Sequence, residues 1–387
     1  MHEEKDCLDW GERAARLRTI LDAYRNRSGN NYDCVVPVSG ARDSHFIVHT
    51  LKHVYGMNPL LVTYNKHYNS DVGIRNLANL RIRFDSDIMT LTVSPETVKR
   101  ITRATLRRLG SIYWHCLAGQ TVFPVQVAVK FKIPLIVWGA HQGIDQVGMF
   151  SHLDEVEMTR KYRKEHDLMG LEAEDLINEF DGISETDIAQ YIYPDNREIE
   201  RVGVRGIYLN NFIRWDSRTQ HERMIQQFDY EAAKQTRTFD TCNNIDCWNY
   251  ADVHDYLKFV KHGYGVATDH ACRDIRLRHM SREEGIAQAR IYSTRQPKNL
   301  DTFLNWIGMT KNAFHYIVDQ HRNPLIWRRN NQWEWEKCYD FLDGASSISG
   351  AAEIINADSR NREFPTTNVK RSSDPSNGYI LIGKGLD

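Results

Sequence analysis

Apolar positions in the first half of the chain fall into two rhythms that take turns. Leu17, Leu21 and Tyr24 recur at helical spacing over residues 10–25, and the turn-rich run Asn26 to Asn31 follows. Cys34-Val35-Val36-Pro37-Val38 is then a short unbroken apolar run, the pattern of a strand buried on both faces. From Ser44 to Tyr55, Phe46, Ile47, Leu51 and Val54 share one stripe, and Gly56 supplies a helix stop. Leu60–Tyr64 predicts a second strand, residues 71–83 a helix through Leu77 and Leu80, and Ile88–Val93 a third strand. Ser94-Pro95-Glu96 reads as a helix start, with Ser94 capping and Pro95 in the first turn. A helical stretch through Val122, Val125 and Val129 leads into a fourth strand, Pro134–Trp138. Strand–helix alternation at this spacing predicts an α/β fold, a parallel sheet with helices on both faces.

Beyond about residue 150 the pattern changes. Residues 151–180 are charge-rich and helical in flavour, and 217–340 are dominated by helix signals. Among these are the capping box Ser281-x-x-Glu284 and the amphipathic run Leu300, Phe303, Leu304, Ile307. From Gly344 the composition turns to small and polar residues that bury little surface. The expected division is an N-terminal helix (1–30), a parallel-sheet domain (31–215), a helical domain (216–343) and a loosely ordered polar tail (344–387). No internal repeat is visible.

Charge narrows the functional classes. A formal net charge of -1 over 387 residues lacks the Lys/Arg excess that phosphate backbones demand, so no nucleic-acid partner is expected. The 7 cysteines are odd in number and irregularly spaced, unlike a secreted disulfide framework. The charged opening Met-His-Glu-Glu-Lys-Asp lacks the apolar run of a signal peptide, and no stretch approaches the ~20 apolar residues of a membrane span. The expectation is a cytoplasmic protein with no membrane partner.

The chemistry concentrates in Ser39-Gly40-Ala41-Arg42-Asp43-Ser44, between the first strand and its helix. Small residues there let backbone approach an anion, and the helix N-terminus aims free N–H groups and a partial positive charge at it. Ser39 and Ser44 add hydroxyl donors and Arg42 a fixed charge. Asp43 suits a Mg²⁺ ion beside a phosphate rather than the phosphate itself. The competing reading is a helix cap with incidental serines. The loop lacks the Gly-Lys-Ser/Thr ending of a Walker loop and is no G-x-G-x-x-G fingerprint.

Asp33 to Ser44 resembles the pyrophosphate loop of the ATP pyrophosphatases, whose usual form is Ser-Gly-Gly-x-Asp-Ser. That group includes GMP, NAD and asparagine synthetases and tRNA-modifying enzymes. The resemblance implies a PP-loop, adenine nucleotide alpha hydrolase-like domain with a mainly helical C-terminal domain. Ala41 stands where the second glycine is usual, a strained substitution if φ must be positive.

A second segment, Ile133 to Gln146, continues into Gly148-Met149-Phe150-Ser151-His152-Leu153-Asp154-Glu155. With Arg205-Gly206-Ile207-Tyr208-Leu209, Trp306-Ile307-Gly308-Met309-Thr310 and Asp319-Gln320-His321-Arg322, it resembles the N-acetyl sugar amidotransferases. These serve the biosynthesis of amidino sugars in surface glycans, such as pseudaminic and legionaminic acid derivatives. The similarity spans roughly residues 1–325. Members of that family open with paired Cys-x-x-Cys motifs, which this sequence lacks, so no N-terminal zinc is expected.

The resemblance implies ATP and Mg²⁺ as cofactors and adenylation of an acetamido oxygen, followed by displacement of AMP by ammonia. Ser39, Gly40, Ala41, Arg42, Asp43 and Ser44, with Gly139 and Gln146, are then the nucleotide-binding candidates. Asp43 is the Mg²⁺ ligand, and Asp43, His141 and Asp145 are the catalytic candidates. His141 would contact phosphate or shuttle a proton, and Asp145 would hold or orient metal; a surface His and a capping Asp are the plainer reading. No cysteine sits in a glutaminase context, so the resemblance implies a separate glutaminase and a cyclase-like ammonia-channelling subunit as partners, beside the acetamido sugar.

His270, Arg273 and Arg276 are candidates for an acidic sugar, since Arg forks match carboxylates. The run Thr159 to His166 reads mainly as a solvated helix face, and Cys242, Cys247, His254, His262, His270 and Cys272 fit no zinc spacing. Two alternatives stay open: a tRNA thiolase or lysidine-type synthetase on the same loop, and a degenerate ATP-binding scaffold.

Overall fold

The computed structural model describes residues 2–146, 148–178, 182–338 and 342; the polar tail expected at 344–387 lies outside them. The apolar runs form five parallel strands: β1 Cys34–Pro37, β2 Pro59–Tyr64, β3 Ile88–Leu91, β4 Leu135–Trp138 and β5 Arg205–Tyr208. Their order across the sheet is β3-β2-β1-β4-β5. The expected α/β architecture is present, and β5 adds to it. Arg205 and Gly206 interrupt the apolar run there, which hides the strand from a pattern search.

Alternation along each strand explains why these runs are apolar throughout. Cys34 and Val36 of β1, Leu61 of β2, Leu135 and Val137 of β4 and Ile207 of β5 face one core. That core also holds Leu17 and Leu21 of the helix Trp10–Tyr24, and Phe46, Ile47 and Val48 of the helix Arg42–His49. Val35, Leu60, Val62 and Ile136 point the opposite way, onto Val122, Val125 and Ala128 of the helix Trp114–Phe131. A side-chain period of two on a sheet covered on both faces demands apolar residues at every position.

The connections set where a ligand can enter. From β1 the chain moves outward through β2 and β3, then returns to the other side of β1 as β4 and β5. The loops after β1 and β4 therefore diverge, and a crevice opens at the strands' C-terminal ends, where open parallel sheets bind ligands.

Several expectations need correction. The helix Pro95–Leu109 begins as predicted, but Ser94 makes no side-chain capping bond. The helical flavour of residues 151–180 is realised, over the described residues 151–178, only in short helical turns, His152–Asp154, Arg160–Tyr162, Arg163–Asp167 and Ala173–Leu176. Residues after 216 are mainly helical, with a small antiparallel hairpin, Trp327–Arg329 and Trp335–Lys337, that periodicity did not signal. Met224, Tyr230, Cys242 and Ile245 share the core of β1, so residues 216–245 pack on the sheet rather than beyond a break at 215.

Where the segment around Cys242–Cys247 crosses the sheet, backbones touch. A Cβ at Gly73 would lie 2.5 Å from the Cα of Asp246, which cannot rotate away. Alanine gains about 1 kcal/mol of helix propensity at such a site, whereas overpacking costs about 1–3 kcal/mol. Gly73→Ala is therefore expected to lower the midpoint of denaturant unfolding, read by circular dichroism.

Candidate active site

The loop after β1 folds upon itself. The Ser39 amide donates to Ser44 Oγ at 2.8 Å and the Ala41 amide to Ser39 Oγ at 3.1 Å. Both hydroxyls thus accept loop N–H groups, and each keeps its own O–H to donate outward. Ala41 has φ -87 and ψ 168, an extended conformation, so the methyl imposes no backbone strain. Gly40 is needed for another reason: a Cβ there would meet the carbonyl oxygen of Gly73 at 2.3 Å. The helix Arg42–His49 that follows has no side-chain cap at Ala41. Its first-turn N–H groups, which no helix can satisfy internally, remain available to an anion.

Arg42 behaves differently from a free phosphate clamp. Its guanidinium is buried, 3.1 Å from Asp43 Oδ1 and 3.7 Å from Asp240 Oδ2. Asp240 also accepts from Arg273 Nη2 at 2.7 Å and from the amides of Cys242 and Asn243, both at 2.7 Å. Burial alone would raise the Asp240 pKa, but His270, Arg42, Arg273 and the backbone donors bring it well below the usual carboxylate range. Asp240 is a fixed negative charge that orients Arg42 behind the loop. Asp240 was not among the residues expected at the site; the closely spaced Asp240, Asn243, Asn244 and Asp246 were the available signal.

The loop after β4 places the second set. His141 Nδ1 accepts the Gly143 amide at 3.1 Å, so the proton sits on Nε2, which is buried without a hydrogen-bond partner. The ring is enclosed by Phe150, Tyr162 and Tyr208, with centroids 5.6, 4.5 and 4.6 Å away. Burial, aided by His166, lowers its pKa to about 4. The neutral imidazole lines the cleft from within this aromatic wall. Asp145 Oδ1 is paired with Lys5 Nζ at 2.8 Å, both groups being buried. Gly139 packs tightly, since a Cβ would lie 2.7 Å from Ile47 Cδ1. Gln146 lines the cleft itself.

The crevice widens into a cleft of about 630 Å³, bordered by Arg42 and Asp43 on one side and by His254, Lys258 and Tyr264 on another. His270 reaches it, but its nitrogens are held by Thr238 Oγ1 at 2.7 Å and Asn243 Nδ2 at 2.8 Å. Arg273 is engaged by Asp240, and Arg276 donates to the carbonyl of Asp145 at 3.4 Å. Of the expected acid-sugar set, His270 lines the cleft, whereas Arg273 and Arg276 are not among its lining residues. The Thr159–His166 run is solvated only in part, with Lys161, Lys164, Glu165 and His166 exposed. Arg163 is buried against Glu172 at 2.8 Å, and Thr159, Tyr162 and His166 line the cleft. Among the described residues, no three His, Cys, Asp or Glu side chains converge on a metal position. No helix of the described residues is long and apolar enough to cross a membrane.

The geometry defines an open α/β sheet with an anion-accepting loop at its switch point and a helical second wall. Residues 222–339, which supply much of that wall, match the family model described as "LPS biosynthesis protein WbpG-like, C-terminal domain". No curated protein matches the chain. Among solved structures, NMN synthetase from Francisella tularensis aligns over 59% of this chain and 98% of its own, at 11% identity and a TM-score of 0.29. That likeness is too distant to carry an argument about this site.

Two outcomes follow. Asp240→Ala would leave Arg42 and Arg273 buried beside an absent partner, and breaking such a pair costs about 3–5 kcal/mol; equilibrium unfolding in urea measures the loss. His45, buried between Phe84 and Tyr230, has its pKa lowered to about 4 by burial. The folded state therefore binds fewer protons than the unfolded one, and stability drains as pH falls from about 6.5 through 4. The urea midpoint should drop more between pH 7 and pH 5 in the native protein than in His45→Phe.

Proposed function

We propose that this protein is an ATP-dependent amidotransferase that converts the N-acetyl group of a bacterial surface sugar to an acetamidino group. The carrying observation is the uncapped N-terminus of the helix Arg42–His49, which opens with Asp43 onto the cleft at the sheet's switch point. The family match over residues 222–339, whose description names LPS biosynthesis, supports a surface-glycan substrate. The unstrained backbone of Ala41 removes the reason to read the loop as degenerate.

In this reading the amide oxygen of the acetamido group attacks the α-phosphorus of ATP and pyrophosphate leaves. The first-turn amides of Arg42, Asp43 and Ser44 hold the departing phosphates, and the hydroxyls of Ser39 and Ser44 donate to them. Arg42, kept in place by Asp240, contributes positive potential from behind the loop rather than by direct contact. Asp43 fits a Mg²⁺ site, because this ion binds through one or two carboxylates plus phosphate oxygens and needs no protein cage. When bound, the ion neutralises charge on the leaving group. The aromatic wall of Tyr162 and Tyr208 excludes water from the activated sugar. Ammonia then displaces AMP, delivered by a separate glutaminase through a cyclase-like channelling subunit.

The purified full chain, given ATP, Mg²⁺, ammonium and acetamido sugars, should form AMP and pyrophosphate, and mass spectrometry should find O exchanged for NH in the sugar. Chelating the metal should stop both products. Asp43→Asn should lower kcat/KM on the order of 100-fold, the usual effect of removing one electrostatic stabiliser. A folded, nucleotide-binding protein that never cleaves ATP with any acetamido sugar defeats the reading.

A further inference from the structure

Among the described residues, five carboxylates line the cleft: Asp43, Asp145, Asp167, Asp255 and Asp269. Four have a cation in hand. Asp43 faces Arg42 at 3.1 Å, Asp145 faces Lys5 at 2.8 Å, Asp255 faces Arg237 at 2.6 Å, and Asp269 pairs with Lys258. Among the described residues, Asp167 makes no hydrogen bond or ion pair, although it is half-buried at the end of the turn Arg163–Asp167. The adjacent cation, Arg163, is committed to Glu172 Oε2 at 2.8 Å and Thr121 Oγ1 at 2.9 Å.

A half-buried carboxylate without a partner is costly unless a ligand supplies the proton or the donor. The groups around Asp167 do not supply one. Tyr208, at the end of β5, is kept a neutral phenol by burial, with Asp167 and Tyr162 adding to the upward shift. His141, from the loop after β4, is neutral and turned into its aromatic enclosure. His166 and Tyr162, from the neighbouring turns, stack on one another with centroids 4.7 Å apart.

We propose that Asp167 is the proton acceptor of the cleft, taking the proton that the nitrogen nucleophile must lose as it replaces the activated oxygen. This rests on the amidotransferase reading. Ammonia forms a C–N bond to the imidate carbon and carries three protons into the tetrahedral adduct. One passes to the Asp167 carboxylate as the C–O bond to AMP breaks. The amidinium product keeps the other two, and AMP leaves with the electron pair of the broken bond. Burial pushes the Asp167 pKa up to about 7 against the opposing pull of Arg163, which suits an acceptor working near neutrality. No local pattern points to this residue, because its isolation follows from where the other cations are anchored.

The test uses the full chain with ATP, Mg²⁺, an acetamido sugar and ammonium. Adenylation is read alone, without ammonium, as exchange of labelled pyrophosphate into ATP. Asp167→Asn should leave exchange unchanged, while amidine formation falls on the order of 100- to 10,000-fold, the range of general base catalysis. The acid limb of the kcat profile near pH 7 should vanish in Asp167→Asn and, in Asp167→Glu, persist at a lower rate and a shifted pH. Native rates in Asp167→Asn overturn the proposal. So does a raised KM for the sugar at unchanged kcat, which marks a binding group, or a parallel loss of exchange and amidine formation. If the native protein forms no AMP with any acetamido sugar, the reaction itself is misassigned and this role falls with it. If Asp167→Asn does not fold, the pH limb in Asp167→Glu decides: a limb unmoved from the native position overturns the proposal.

Discussion

One buried carboxylate holds the two halves of the site in register. Asp240 draws Arg42, from the first turn behind β1, and Arg273, from the helix Val266–Arg276, onto a single oxygen, with its other oxygen held by the amides of Cys242 and Asn243. Removing a charge from water costs several kcal/mol, and the cost is met only when partners and donors surround it completely. Asp240 satisfies that condition, so the positions of Arg42 and Arg273 are coupled: neither can move without exposing the other's partner.

The same logic recurs at smaller scale around the cleft. Lys66 meets Asp246 at 2.8 Å, which ties the end of β2 to the crossing segment, and Ser70 donates to the carbonyl of Ile245. Lys5 meets Asp145 and ties the helix His2–Cys7 to the loop after β4. These contacts join segments far apart in sequence, and each uses a charge that would otherwise be desolvated without compensation. The result is a cleft whose carboxylates are largely neutralised from behind, Asp43 by its neighbour Arg42 among them, while Asp167 keeps no such pair among the described residues.

The sheet was largely legible, because a strand covered on both faces must be apolar at every position, and Cys34–Val38, Leu60–Tyr64 and Pro134–Trp138 obey that rule. β5 escaped because Arg205 pairs with Glu157 at 2.6 Å and Gly206 makes room for Met158, so two of its four residues answer to neighbours rather than to the core pattern. The loop at 39–44 was legible because strand–loop–helix context is local. Asp240, Asp167 and the inward turn of His141 were not, since each depends on residues from separate elements converging. Arg163 shows the limit most plainly. Within its own run it looks solvent-facing, and only Glu172 and Thr121, brought in by the fold, account for its burial.

The contact of Gly40 with Gly73, and of Gly73 with Asp246, has a thermodynamic meaning. Three stretches of backbone are stacked with no side chain between them, so the loop has no rotamers to freeze and no room to relax. Its ordering entropy is lost when the chain folds, not when a ligand arrives. Binding at such a preorganised surface keeps more of its gross interaction energy. The far wall carries longer side chains, among them Lys258, paired with Asp269, and Lys261, which donates to the Leu109 carbonyl at 2.9 Å, and these contacts can be exchanged for those of a second reactant. The cleft thereby divides its labour: a stiff half suited to the invariant phosphates, and a pliable half suited to whatever varies.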